Sequence, residues 1–141
     1  MTLEVPNPGI ISAKRSTSAT RNADETSDQC KDLVALVAQH TGSKNGIHQT
    51  VISQLSFARA DAATSTVLHQ AYEPRLAMIV QGQKELYLGE KKYFYGAGQY
   101  LVVSVELPVG GCIVEATSDK PYLVLKLTLD PIQLCELVAQ L

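Results

Sequence analysis

The chain has 141 residues, 45% of them hydrophobic and 18% charged, with two Phe, six Tyr, no Trp and a formal charge of −2. That length suits one domain with an aliphatic core, since a domain near 150 residues hides roughly 70% of its chain surface on folding. The charge argues against a phosphate-gripping face, which needs clustered Lys and Arg, and no apolar run approaches the roughly 18 residues of a spanning helix.

Residues 1–27 are rich in Ser, Thr, Ala, Asn and Pro without a period. They read as a flexible arm, one that can also fold over a pocket. No apolar stretch of the secretory kind opens the chain. Asp28 to His40 predicts a helix. Ser27 caps it, Asp28 suits its positive end, and Cys30, Leu33, Val34 and Val37 make one apolar face. Gly42 supplies the stop.

From Ile47 the pattern changes to short strands: Val51–Ala58, Thr64–His69, Leu76–Gln81, Glu85–Leu88, Lys92–Tyr95, Gln99–Val103, Gly111–Ala116 and Tyr122–Thr128. Turn signals separate them, as in a sandwich or barrel. Gly96-Ala97-Gly98 offers positive φ for a tight reversal. Pro108, which cannot donate to a ladder, is placed at a corner between two strands. At the end, Asp130 caps a second helix, Pro131 fits its first position and Gln133 completes a capping box. Leu134, Leu137, Val138 and Leu141 form its apolar stripe. The sequence stops inside that pattern, so a longer protein is expected.

Little here carries chemistry. Cys30, Cys112 and Cys135 are dispersed and odd in number, as in a cytoplasmic protein with reduced thiols. His40, His48 and His69 are scattered. Cys112 follows two glycines and has no basic neighbour. It reads as a small buried hydrophobe, with a sensing thiol as the alternative. Glu115 is either solvated or buried against Arg59 or Arg75.

The ordered series Tyr72-Glu73-Pro74, Gln81-Gly82, Tyr95 to Gly98, Ser104 to Pro108, Glu115-Ala116, Pro121-Tyr122 and Asp130-Pro131 resembles the cupin-like N-terminal region of AraC-type transcription regulators, over about Asp32 to Leu141. The resemblance implies a mainly β, cupin-like jelly-roll barrel over 28–141. One helix lies near its start and another at its end. In such regulators the barrel senses an effector or dimerises, and a separate helix-turn-helix region binds DNA. No such region is present in this sequence, so DNA is a partner only through a domain outside it. Metal-dependent cupin enzymes hold their metal with an H-x-H pair. At that place stands Met78-Ile79-Val80-Gln81-Gly82-Gln83, which offers only a weak Gln. No metal, cofactor or catalytic residue is therefore expected. A small metal-dependent cupin isomerase or dioxygenase is the alternative.

Mapped by resemblance, an unknown small-molecule effector would touch Phe57, Arg59, Gln81, Cys112, Val114, Leu123 and Leu125 inside the barrel. A filled core without a cavity is the rival reading. The stripe Leu134, Leu137, Val138 and Leu141 is the expected homodimer interface. No membrane partner is expected.

Overall fold

Alternating apolar residues on short strands need two facing sheets to bury them. The computed structural model describes residues 10–15 and 23–141, with side chains from Lys31 onward. Its elements are β1 (Ile10–Arg15), α1 (Ala23–Thr41), β2 (Gly46–Gln49), β3 (Leu55–Ala60), β4 (Leu68–Tyr72), β5 (Arg75–Gln81), β6 (Gln83–Leu88), β7 (Lys91–Gly96), β8 (Gln99–Val103), β9 (Leu107–Glu115), β10 (Tyr122–Thr128) and α2 (Pro131–Ala139). One sheet has the order β1-β8-β5-β10-β3-β2 and the other β4-β9-β6-β7. Every neighbouring pair is antiparallel. From β3 to β10 the chain alternates between sheets, except at the β6–β7 hairpin. This is the strand order of a jelly roll.

The inner faces meet in one core. Ala77 and Ile79 of β5, Leu101 and Val103 of β8, and Tyr122 and Val124 of β10 pack on Leu86, Leu88, Tyr95, Leu107 and Val109 from the other sheet. A second, smaller layer lies on the outside of the six-stranded sheet. There Val37 of α1 is buried with Val80 and Leu123, flanked by Leu33, Val34, Ala38, Phe57 and Leu125. So α1 lies across β3, β5 and β10, and this sheet is buried on both faces at its centre.

The corners depend on backbone that L side chains avoid. Gly82 alone joins β5 to β6, at φ +93°. A Cβ there would stand 2.7 Å from the Glu115 carbonyl oxygen and 3.1 Å from the Tyr122 Cα. The Gly96-Ala97-Gly98 turn also carries the chain from one sheet to the other. Its positive φ belongs to Gly98, whose N–H donates to the Ile79 carbonyl at 2.9 Å. Gly42 ends α1 at φ +59°, its N–H on the Ala38 carbonyl at 2.9 Å.

Several expectations are corrected. Two pieces of the stretch read as a flexible arm take regular structure: β1 pairs along β8, and α1 begins at Ala23 rather than Asp28. The rest of that stretch, and the Cys30 side chain, lie outside what is described. β2 was not expected, because a four-residue exposed edge strand leaves almost no pattern. Pro108 is not a corner but the second residue of β9, opposite Ala71. It sits beyond Gly110, the last β9 residue in register with β6, so its missing N–H leaves no β6 bond unmade.

Gly82→Ala should therefore lower stability by about 2–3 kcal/mol, through positive φ and a backbone clash together. Gly89→Ala, at φ +59° with open space around its Cβ, should lower it by only about 1 kcal/mol. Urea midpoints of the two variants check the difference. Equal midpoints would show that the Gly82 corner relaxes freely.

Candidate ligand-binding site

Six of the seven residues expected to line the interior do not face it, while Cys112 borders the small cavity described below. Phe57 and Leu125 are opposite each other on β3 and β10, and Arg59 is opposite Leu123. All four are on the face under α1. Phe57 meets the His40 ring edge-on, with centroids 5.1 Å apart. Arg59 Nε is buried there without a hydrogen-bond partner among the described residues. Gln81 is opposite Leu123 on that same face and donates its amide to the Pro121 carbonyl at 2.8 Å. Cys112 is opposite Glu85, on the outer face of the four-stranded sheet, and Val114 is exposed two residues on. Phe57, Arg59, Gln81, Leu123 and Leu125 are thus brought together, but beneath the helix.

The reason is parity. In Leu123-Val124-Leu125 every residue is apolar, so alternation cannot say which face looks inward. The inward set on β10 is Tyr122, Val124 and, by the same period, Lys126. On β5 it begins with Arg75, and on β6 with Lys84. Tyr72 of β4 links two of these cations. Lys84 Nζ donates to the Tyr72 hydroxyl at 2.8 Å and lies 5.5 Å from the ring centroid, and the Arg75 guanidinium carbon lies 4.8 Å from the same centroid. Arg75 Nε also donates to the Glu73 carbonyl at 3.1 Å.

Tyrosines complete this interior. Tyr95 and Tyr122 are almost wholly buried, and burial first, then neighbouring phenols, pushes both well above the usual phenol range. The Tyr93 hydroxyl is buried with no hydrogen-bond partner among the described residues. Lys126 is lowered to about 8, first by burial and then by the charges of Lys84 and Arg75. A cavity of about 80 Å³ borders Tyr72, Lys84, Leu68, Gly111, Ile113 and Cys112, among others, and so takes in one of the seven expected residues.

Other places offer less. A wide concavity of about 830 Å³ lies at the sheet-switching corner beside α1, lined by Lys31, Gln81, Gln83, Gln99, Glu115 and Lys120 among others. Glu115 is exposed there. On the outer face of the second sheet, buried Glu85 pairs with Lys92 at 2.5 Å and accepts from the Tyr87 hydroxyl. Among the described residues no three His, Cys, Asp or Glu side chains cluster as metal ligands. His40 and His48 are each bound to a backbone carbonyl. Nor is any described helix long and apolar enough to cross a membrane.

α2 is capped as expected. The Asp130 carboxylate accepts from the Ile132 N–H at 2.9 Å, with Pro131 in the first turn. It buries no residue. Leu134, Leu137, Val138 and Leu141 are all exposed, as is Ile132.

Lys126 makes stability depend on pH. Folded, it gives up its proton near 8, and unfolded, near 10.5. Between those values the unfolded chain binds more protons, so stability rises with pH. From pH 8 to 9.5 it should rise by about 1 kcal/mol in the wild type and stay flat in Lys126→Met. Above pH 10 the raised tyrosines act in the opposite sense. Urea unfolding at each pH is the measurement, and parallel curves for both proteins would place Lys126 in water.

No curated protein matches the chain. Two solved structures resemble it in shape. One is Drosophila melanogaster CENP-C bound to CAL1, 8% identical, TM-score 0.47, over 72% of this chain and 98% of that one. The other is the Drosophila melanogaster CENP-C cupin domain, 10% identical, TM-score 0.43, over 76% and 98%. The model of the AraC-type transcriptional regulator N-terminus matches residues 51–141. With well over half its length inside that match, the chain belongs to the family of AraC-type transcriptional regulator N-termini.

Proposed function

We propose that this chain is the effector-sensing and dimerisation part of an AraC-type regulator. A small molecule occupies the barrel interior, and its presence is relayed to a DNA-binding domain outside this chain. The family match supports the regulatory setting. The observation that carries the sensing role is the polar interior. A purely structural core would be aliphatic throughout, yet this one has Arg75 and Lys84 on inward positions beside Tyr72, with Lys126 near both cations. The Tyr93 and Tyr122 hydroxyls are buried without a hydrogen-bond partner among the described residues, and such groups mark places where a ligand completes the pairing.

The dimerisation role rests on α2. Its stripe of Leu134, Leu137 and Val138 has no cover from its own barrel. A two-fold dimer would bury the same stripe on both copies. Each leucine so buried contributes roughly 2 kcal/mol, enough for two or three per chain to hold a weak dimer. The unpaired thiols Cys112 and Cys135 suit a reducing cytoplasm. With a charge of −2, the chain by itself is expected to leave duplex DNA unbound at physiological salt.

Sedimentation of wild type and Leu137→Glu tests the reading. Leu137 is 60% exposed, so the variant should fold normally. Wild type should dimerise with rising concentration and Leu137→Glu should remain monomeric. A wild type that is monomeric at high concentration, or a variant that dimerises equally well, removes α2 from the interface.

A further inference from the structure

A buried charge needs a partner. Three part-buried cations occupy inward positions of this barrel: Arg75 on β5, Lys84 on β6 and Lys126 on β10. No acid does. Of the described carboxylates from Asp32 onward, Glu85 is buried on the outer face against Lys92, and Asp61 is half-buried and takes the Asn45 amide at 2.9 Å. The others are exposed. Beside Lys126 stand Arg75 from β5 and Lys84 from β6, and its β5 partner Ala77 carries no charge. Its β3 partner Ser56 carries none either. The counter-charge is therefore not supplied by any described residue.

We propose that the barrel takes a small effector bearing an anionic oxygen group, held among Arg75, Lys84 and Lys126 with the Tyr72 hydroxyl beside it. This rests on the effector-domain reading above and names the chemical class of the effector. Arg75 offers the planar fork that suits carboxylate and phosphoryl oxygens. Lys84 offers a second point charge from the facing sheet, at the edge of the 80 Å³ cavity. Gly111 keeps that space open, since a Cβ there would stand 3.0 Å from Lys84 Cε. The volume is that of about two or three waters, so it admits an acid group and a short stem rather than a large ligand. Leu68 and Ile113 give the stem an apolar wall.

The charge state of Lys126 follows the occupant. An anion favours the charged ammonium and so raises its pKa. Linkage then requires affinity to be highest below about 8 and to weaken as pH rises through that value. A guanidinium keeps its charge at these pH values, so binding weakens without vanishing.

The test is calorimetric titration of the 141-residue chain with sodium acetate, sodium benzoate and inorganic phosphate, at fixed ionic strength. Glucose serves as a neutral ligand. Saturable binding of a carboxylate is expected, at least tenfold weaker in Lys84→Met and in Lys126→Met, and weaker at pH 9 than at pH 7. Saturation by phosphate alone, with the same dependence on both lysines, assigns the site to phosphoryl-bearing effectors. The methionine variants keep the side-chain length, and their urea midpoints at pH 7 should equal or exceed that of wild type, which separates lost binding from lost folding. Anion effects that never saturate, or that are the same in the variants, overturn the proposal. Saturable glucose binding without anion binding also overturns it, while leaving the effector-domain reading in place. The dimerisation half of that reading is tested separately by the sedimentation of Leu137→Glu.

Discussion

One residue joins β5 to β6, and it has no side chain to spare. Gly82 turns the chain from one sheet to the other at φ +93°, with the Glu115 carbonyl where a Cβ would be. That close approach fixes how far β6 lies from the end of β9 and from Tyr122 on β10. It also fixes parity. Register shifts occur on both sides of the corner, between Leu123 and Val124 in the β10–β5 ladder and between Gln83 and Lys84 in the β6–β9 ladder. Lys84 and Leu86 are inward on β6 only because the turn has this length. One residue more would send Glu85 and Tyr87 into the core.

α1 changes what the six-stranded sheet must be. An antiparallel sheet with one wet face alternates cleanly. This sheet has a helix on its outer face, so Val80 and Leu123 are buried on the side away from the core, under Val37. The apolar outer layer lets the interior carry something other than hydrophobic bulk. Tyr72, Tyr95 and Tyr122 stand there with three cations, and the aliphatic packing that a small barrel needs is shared between two layers.

That sharing limits what the sequence discloses. β8 and β10 are legible to the residue, since Gln99–Val103 and Tyr122–Thr128 are bounded by clear turn signals. The mainly β class, the two flanking helices and the Asp130 cap are legible too. The inward face is not. Tyr122-Leu123-Val124-Leu125 is apolar at every position, so Phe57, Leu123 and Leu125 look like core-facing residues until α1 is seen above them. One signal was available. Lys126 breaks the apolar run in phase with Tyr122 and Val124, and Arg75 and Lys84 start their strands in phase with Ala77 and Leu86. A charge recurring on the core phase of three strands is a pattern that period-2 reading can find, although sequence alone does not say that two of the three meet at one ring.

The interior and α2 are joined by very little chain. Lys126 is four residues before Asp130, the cap of α2, and Arg75 follows the Glu73-Pro74 strap directly. The two paths meet, because the Leu129 N–H donates to the Pro74 carbonyl at 3.0 Å and Arg75 Nε holds the Glu73 carbonyl. α2 itself has nine residues and buries none of them. An isolated helix shorter than roughly 12–15 residues is marginal in water, so its cap and whatever covers its stripe decide how firmly it is held. A strand end that carries an unpaired cation and leads directly into the helix cap couples the two. Pairing the charge steadies β10 and the strap, and the strap holds Leu129 at the root of α2. In a protein of this architecture, the shortest path between the interior and the exposed stripe of α2 is that one strand end.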